Sequence, residues 1–123
     1  MGRKAGITFP RRGAVYLVEL DPTRGAEIQK TRPALIIQND HGNRLSRLTI
    51  VAPISSGRLT QIEPFKVQIK SGEAGMNNDS HVLLNQIRAV DKSRLIRRLG
   101  RVHPATLARV DRAIKFSLGL IEV

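Results

Sequence analysis

The stretch Gly25–Pro33 sets a glycine-led loop carrying Glu27, Lys30, Thr31 and Arg32 in front of the apolar run Pro33–Gln38. An arginine at the mouth of a strand is anchored at one end by a rigid backbone, while its head looks out over the loop. Its guanidinium stays charged at any pH the protein meets and presents a planar fork of donors, which suits a phosphate or the charge that develops on one. The same position also fits an ordinary solvated arginine at a strand edge, so the surrounding residues must decide. Two adjacent hydroxyls, Ser55 and Ser56, end the run Leu48–Ile54, where they can bond their own backbone or turn one oxygen toward the loop of Arg32. Together with Gln86 these residues supply acid, base and charge stabilisation and little else. Cleavage of an RNA phosphodiester can run on that inventory. The substrate brings its own nucleophile, the 2′-hydroxyl, and needs a base for it, an acid for the leaving 5′-oxygen and a cation for the pentacoordinate charge. DNA offers no such hydroxyl.

Other chemistries are poorly supplied. The chain has no Cys, hence no disulfide, thiol nucleophile or thiolate metal site. His41, His81 and His103 show no paired ligand spacing, and neither a phosphate-binding Gly-Lys loop nor a dinucleotide fingerprint is present, so no metal and no cofactor is expected. The length of 123 residues suits one domain. The balance of 21 Lys and Arg against 10 Asp and Glu, a formal charge of +11, points to polyanions, with nucleic acid first. Aromatic residues make up only 3%, which argues against a sheet that stacks bases on clustered rings. No apolar run is long enough to span a bilayer and no signal-like block opens the chain, so a soluble, cytoplasmic protein with no membrane partner is expected.

The elements that must position these groups follow from local pattern. Residues 1–11 read as a basic, frayed tail and residues 12–123 as a single domain. Strands are predicted at Ala14–Leu20, Pro33–Gln38, Leu48–Ile54, Phe65–Lys70, His81–Arg88 and Ile96–Val102. The second is a continuous apolar run, as in a strand buried on both faces. Asn39–Asn43 reads as a turn, and Ala89–Leu95 as a tight turn or a single helical turn. From Pro104 the apolar period changes to that of a helix, with Leu107, Val110, Ile114 and Leu118 on one stripe. The fold class is mainly β: a small, strongly bent barrel of five or six short, mostly antiparallel strands with a C-terminal helix.

Four blocks, in order, resemble the MazF/PemK toxin family: Val15–Glu27, Lys30–Asp40, Ile50–Ser56 and Leu84–Leu95. The resemblance implies an SH3-like barrel that forms a homodimer. It also implies a sequence-specific, metal-independent endoribonuclease acting on single-stranded mRNA, and a cognate antitoxin laid across the RNA groove, with operator DNA bound only together with that antitoxin. The family's catalytic Arg-before-Pro maps to Arg32, its hydroxyl partner, usually Thr, to Ser55, and its loop acid to Glu27. Expected RNA contacts are Lys30, Thr31, Ser56, Asp79, Ser80 and Gln86. Two other readings remain: a gyrase-poisoning toxin of the CcdB type on the same barrel, and a basic nucleic-acid-binding module without catalysis.

Overall fold

The structure, a computed structural model, describes residues 9–20, 25–26 and 30–122. Residues 1–8 of the expected tail and the expected loop acid Glu27 lie outside the described residues. Among the described residues the chain forms β1 (Ala14–Glu19), β2 (Thr31–Ile36), α1 (Asp40–Leu45), β3 (Leu48–Ser56), β4 (Lys66–Ile69), β5 (Ser80–Leu83), β6 (Arg88–Asp91), β7 (Leu95–Arg101) and α2 (Pro104–Ser117). Every strand pairing is antiparallel, in the order β4-β5-β3-β2-β1-β7, with β6 on β3. Strand β3 is the hinge of this arrangement: Leu48–Val51 pair with β6 and Ile54–Ser56 with β5.

Apolar residues fill both faces of the central strands. Val15, Leu35, Ala52 and Ile54 face one core with Ile69, Val82 and the helix residues Val110 and Ala113. Val18, Ala34, Ile36 and Val51 face a second core with Leu20 and Val90. The unbroken apolar run of β2 is thus explained by burial on both sides, since successive side chains point to opposite faces. Helix α2 covers the first core with Leu107, Val110 and Ile114 of the predicted stripe, while Leu118 lies just past its end and is exposed; Pro104 begins it at a position where no N–H is needed.

The structure corrects three local readings. Asn39–Asn43 is the start of α1, because the Asn39 side chain caps the helix by accepting from Gly42 N at 2.8 Å. The segment read as one strand over His81–Arg88 is broken by a turn in which Gln86 N donates to Leu83 O. Arg88–Asp91 then forms β6, and the helical turn follows at Lys92–Arg94, capped by the Asp91 side chain. This gives seven strands. No ladder pairs β6 with β7 among the described residues, so the sheet is strongly bent but not closed. Two guanidiniums reach the end of β1 instead: Arg88 Nη1 donates to Leu20 O at 2.9 Å, and Arg94 Nη1 to Glu19 O at 3.3 Å. The N–H of the same Leu20 donates to Lys30 O, so the base of the β1–β2 loop is held from two directions.

A second close approach places the loop between β4 and β5. A Cβ on Gly75, whose φ is +77°, would stand 2.3 Å from Leu99 O, and a Cβ on Gly100 would stand 2.5 Å from the Ala74 carbonyl carbon. Backbone therefore lies directly on backbone where this loop crosses β7. Gly75→Ala or Gly100→Ala is expected to destabilise the fold by about 2–4 kcal/mol, measured by urea denaturation.

Arg12 joins the start of the domain to both helices. Its N–H donates to Asp40 Oδ1 at 2.7 Å, its Nε to Ile37 O at 2.8 Å and its Nη2 to Asp111 Oδ1 at 2.6 Å. The Arg12 backbone bond, with lesser help from the Asn43 side chain and the charges of Arg11 and Arg101, outweighs desolvation and holds the Asp40 carboxyl below its ordinary 3.8. A depressed folded-state pKa contributes stability that is present above the unfolded value and lost as pH falls through the folded one. Melting temperature should therefore drop below about pH 4, and Asp40→Asn should flatten that acid limb while lowering the neutral-pH plateau.

Candidate active site

The β2–β3 ladder runs through Ile36↔Val51 and Leu35↔Ala52 and ends at Ala34↔Pro53. Pro33 and Pro53 sit at this limit, and neither has an N–H to give, so the ladder stops here. Beyond it, β2 stays paired with β1 out to Thr31, and β3 stays paired with β5 out to Ser56. A cleft of about 570 Å³ opens where the two strands part, lined by Lys30, Thr31, Arg32 and Pro33 on one side and by Ile54 and Ser56 on the other. Strand β7 adds Arg97 and Leu99, β1 adds Leu17, and the loop docked by Gly75 adds Met76, Asn77 and Asn78, with Ser80 at its end.

The charge of this cleft is one-sided. Lys30, Arg32 and Arg97 line it, and no carboxylate does so among the described residues. A concave site lined by one sign of charge focuses the field on an incoming anion. Lys30 also carries a left-handed backbone, with φ 68°, an uncommon conformation for a residue with a side chain and one that collects at functional sites. It turns the chain from the loop into β2 immediately before Thr31 and Arg32.

The expected residues do not all converge on the cleft. Lys30, Thr31, Arg32, Ser56 and Ser80 line it; Ser55 and Gln86 do not. Alternation along β3 turns Ser55 away from the side of Ser56 and Ile54. Ser55 pairs with His81, and its hydroxyl donates only a long bond, 3.5 Å, to Ser56 O. The β2–β3 ladder ends at Ala34↔Pro53, while Arg32 pairs with Val18 of β1 and Ser55 with His81 of β5, so no strand pairing joins Arg32 to Ser55 among the described residues. Gln86 lies in the turn between β5 and β6. Asp79 lines an adjoining hollow with Ser56, Arg58 and Ser71; its carboxylate accepts from Ser71 N at 2.9 Å and lies 3.8 Å from Arg58 Nε. The Ser80 hydroxyl donates to Asn78 O at 3.0 Å, which commits its proton to the loop.

Sequence reasoning missed Arg97, Asn77 and Asn78. Arg97 was visible only as one of many late basic residues, and the two amides only as part of a loop between glycines. Their place at the cleft depends on the docking of Gly75 against Leu99, a contact between segments far apart in the chain. No cluster of three or more metal-ligating side chains occurs among the described residues, and no helix there is long and apolar enough to cross a membrane.

Residues 11–118 match the family model described as PemK-like, MazF-like toxin of type II toxin-antitoxin system. This chain belongs to that family. Among curated relatives, the "Endoribonuclease MazF" of Staphylococcus epidermidis is 43% identical over 110 residues, covering 89% of this chain and 92% of that protein. The protein of the same name from Staphylococcus saprophyticus is 43% identical over 111 residues, with the same coverage. Among solved structures, MazF from Deinococcus radiodurans superposes with a TM-score of 0.78 at 25% identity, covering 92% of this chain and 99% of that one. A mycobacterial endoribonuclease solved in complex with its cognate antitoxin gives a TM-score of 0.75 at 25% identity, covering 93% and 99%. The family match and these superpositions bear out the mainly β fold with a C-terminal helix.

Proposed function

We propose that this toxin-family protein is an endoribonuclease that cuts single-stranded RNA by attack of the substrate's own 2′-hydroxyl on the adjacent phosphorus. The reading is carried by the cleft at the parting of β2 and β3, where Lys30, Arg32 and Arg97 gather. Arg32 meets the non-bridging phosphate oxygens and stabilises the negative charge that grows as the phosphorane forms. Its high pKa makes it a poor proton donor, so its contribution is charge and orientation. Lys30 and Thr31 hold the flanking backbone. Ser55, the strand-end hydroxyl that the family pattern assigns as partner of Arg32, acts as its hydrogen-bond partner, while Ser56 lines the cleft. Glu27 takes the proton from the 2′-hydroxyl when the loop brings it to the phosphate. The bond from phosphorus to the 5′-oxygen then breaks, and the departing oxygen takes a proton from solvent water, leaving a 2′,3′-cyclic phosphate and a 5′-hydroxyl.

None of these steps requires a metal ion. As in the mycobacterial complex described above, the expected protein partner is a cognate antitoxin, and it would block the cationic cleft; the protein would act as a homodimer, in the cytoplasm, and would meet operator DNA only in company with the antitoxin. Incubation of a long, unstructured RNA with the purified protein in EDTA tests the reading. Fragments with 5′-hydroxyl and cyclic-phosphate ends at a short recurring sequence are expected. Intact RNA, or binding that weakens steeply with salt and yields no defined ends, would contradict it.

A further inference from the structure

The far wall of the cleft is built as a fixed frame for two adjacent amides. The loop between β4 and β5 is closed by Gly72 N donating to Met76 O at 2.8 Å and seated on β7 by the contact of Gly75 with Leu99. The backbone carbonyls of Asn77 and Asn78 are both occupied: the Ser71 hydroxyl donates to the first at 2.9 Å, and the Ser80 hydroxyl to the second at 3.0 Å. At the loop's exit Gly57 N donates to Asp79 O at 2.8 Å. Both asparagines are exposed and line the cleft that also holds Arg32 and Arg97. A loop whose own polar groups are this fully used leaves the carboxamides of Asn77 and Asn78 as its outward-facing donors and acceptors.

Resting on the ribonuclease reading, we infer that Asn77 and Asn78 read the edge of one unstacked nucleobase beside the phosphate held by Arg32. An asparagine amide offers a donor and an acceptor side by side, the pattern that pairs in bidentate fashion with a base edge. Single-stranded RNA is recognised in this manner, with splayed bases bonded along their edges and packed on a ring or a guanidinium plane. No aromatic side chain lines the cleft, so Arg97, with Leu17 and Leu99 beside it, supplies the surface against which the base lies. A volume of about 570 Å³ is within the range that small-molecule sites occupy. Phosphate contacts alone carry no sequence information, so discrimination must come from groups such as these amides. Asn77 and Asn78 are thus specificity-determining residues, and the ligand class is a single nucleobase.

The test compares wild type with Asn77→Ala, Asn78→Ala and Asn78→Asp on an RNA carrying the mapped cleavage site and on versions with one base changed at each position. Each protein's binding to the same oligonucleotides with a 2′-deoxy residue at the scissile position is measured alongside, so that a slowed variant is still informative. The expected result is that discrimination at one position falls about tenfold or more in at least one alanine variant and that Asn78→Asp changes the preferred base, with melting temperatures close to wild type. Wild-type discrimination preserved at every position in all three variants would overturn the inference and leave the cleavage reading intact. Failure of wild type itself to cleave would instead contradict the ribonuclease reading.

Discussion

Arg32→Ala is expected to lower the rate of RNA cleavage by about 10³-fold or more, as loss of a preorganised cation at a phosphoryl centre does. The effect should fall mainly on kcat, because Lys30 and Arg97 remain in the cleft to attract the RNA backbone. Arg32→Lys should recover only a small part of the activity, since an ammonium keeps the charge but loses the planar fork that meets two phosphate oxygens together. Arg97→Ala makes a useful contrast, with an expected loss seen chiefly in KM and in the salt dependence of binding. Single-turnover rates at saturating protein, with melting curves to confirm folding, separate these outcomes.

The largest expected loss of stability lies away from the cleft, at Asn43. This residue is fully buried and all its polar atoms are engaged. Its Nδ2 donates to Gln38 O at 2.8 Å, and its Oδ1 accepts from Thr49 Oγ1 at 2.7 Å and from Gln38 Nε2 at 3.0 Å. Its backbone carbonyl accepts from Lys92 Nζ, which ties α1 to the turn that follows β6. Asn43→Ala strands the buried Thr49 hydroxyl and the Gln38 carbonyl in a small cavity, at a cost of about 3–4 kcal/mol. For a domain of this size the melting temperature should fall by roughly 10–15 °C. If the unpaired hydroxyl is a major cause, Asn43→Ala combined with Thr49→Val should be more stable than the sum of the two single changes allows.

How much was legible in the sequence depended on how local the cause was. The apolar run of β2 and the stripe of α2 each follow from burial of adjacent residues, and both elements stand where the pattern put them. Strand β6 was hidden because Arg88 reads as the end of the preceding strand and Asp91 as a turn residue; their place in β6 comes from pairing with β3, and the guanidinium of Arg88 is drawn inward by the Leu20 carbonyl. Helix α1 was hidden for a related reason. Asn39, Asp40, Gly42 and Asn43 are common in turns, and the bond from Gly42 N to the Asn39 side chain selects the helix. At the site, Arg32 and its neighbours were legible because the loop and strand that carry them are contiguous. The far wall was not, because Asn77 and Asn78 reach the cleft only through the backbone contact of Gly75 and Gly100 with segments that share no local pattern.

We propose that the cleft of Arg32 stabilises attack by an oxygen belonging to the substrate. It is tested most directly by placing a single 2′-deoxy nucleotide at the mapped scissile position of an otherwise unchanged RNA and measuring cleavage in EDTA. The all-ribose strand is expected to be cut at that position to a cyclic phosphate and a 5′-hydroxyl, while the substituted strand is bound with similar affinity and left whole. Cleavage of the substituted strand at a comparable rate, or dependence of wild-type cleavage on an added divalent cation, would contradict it.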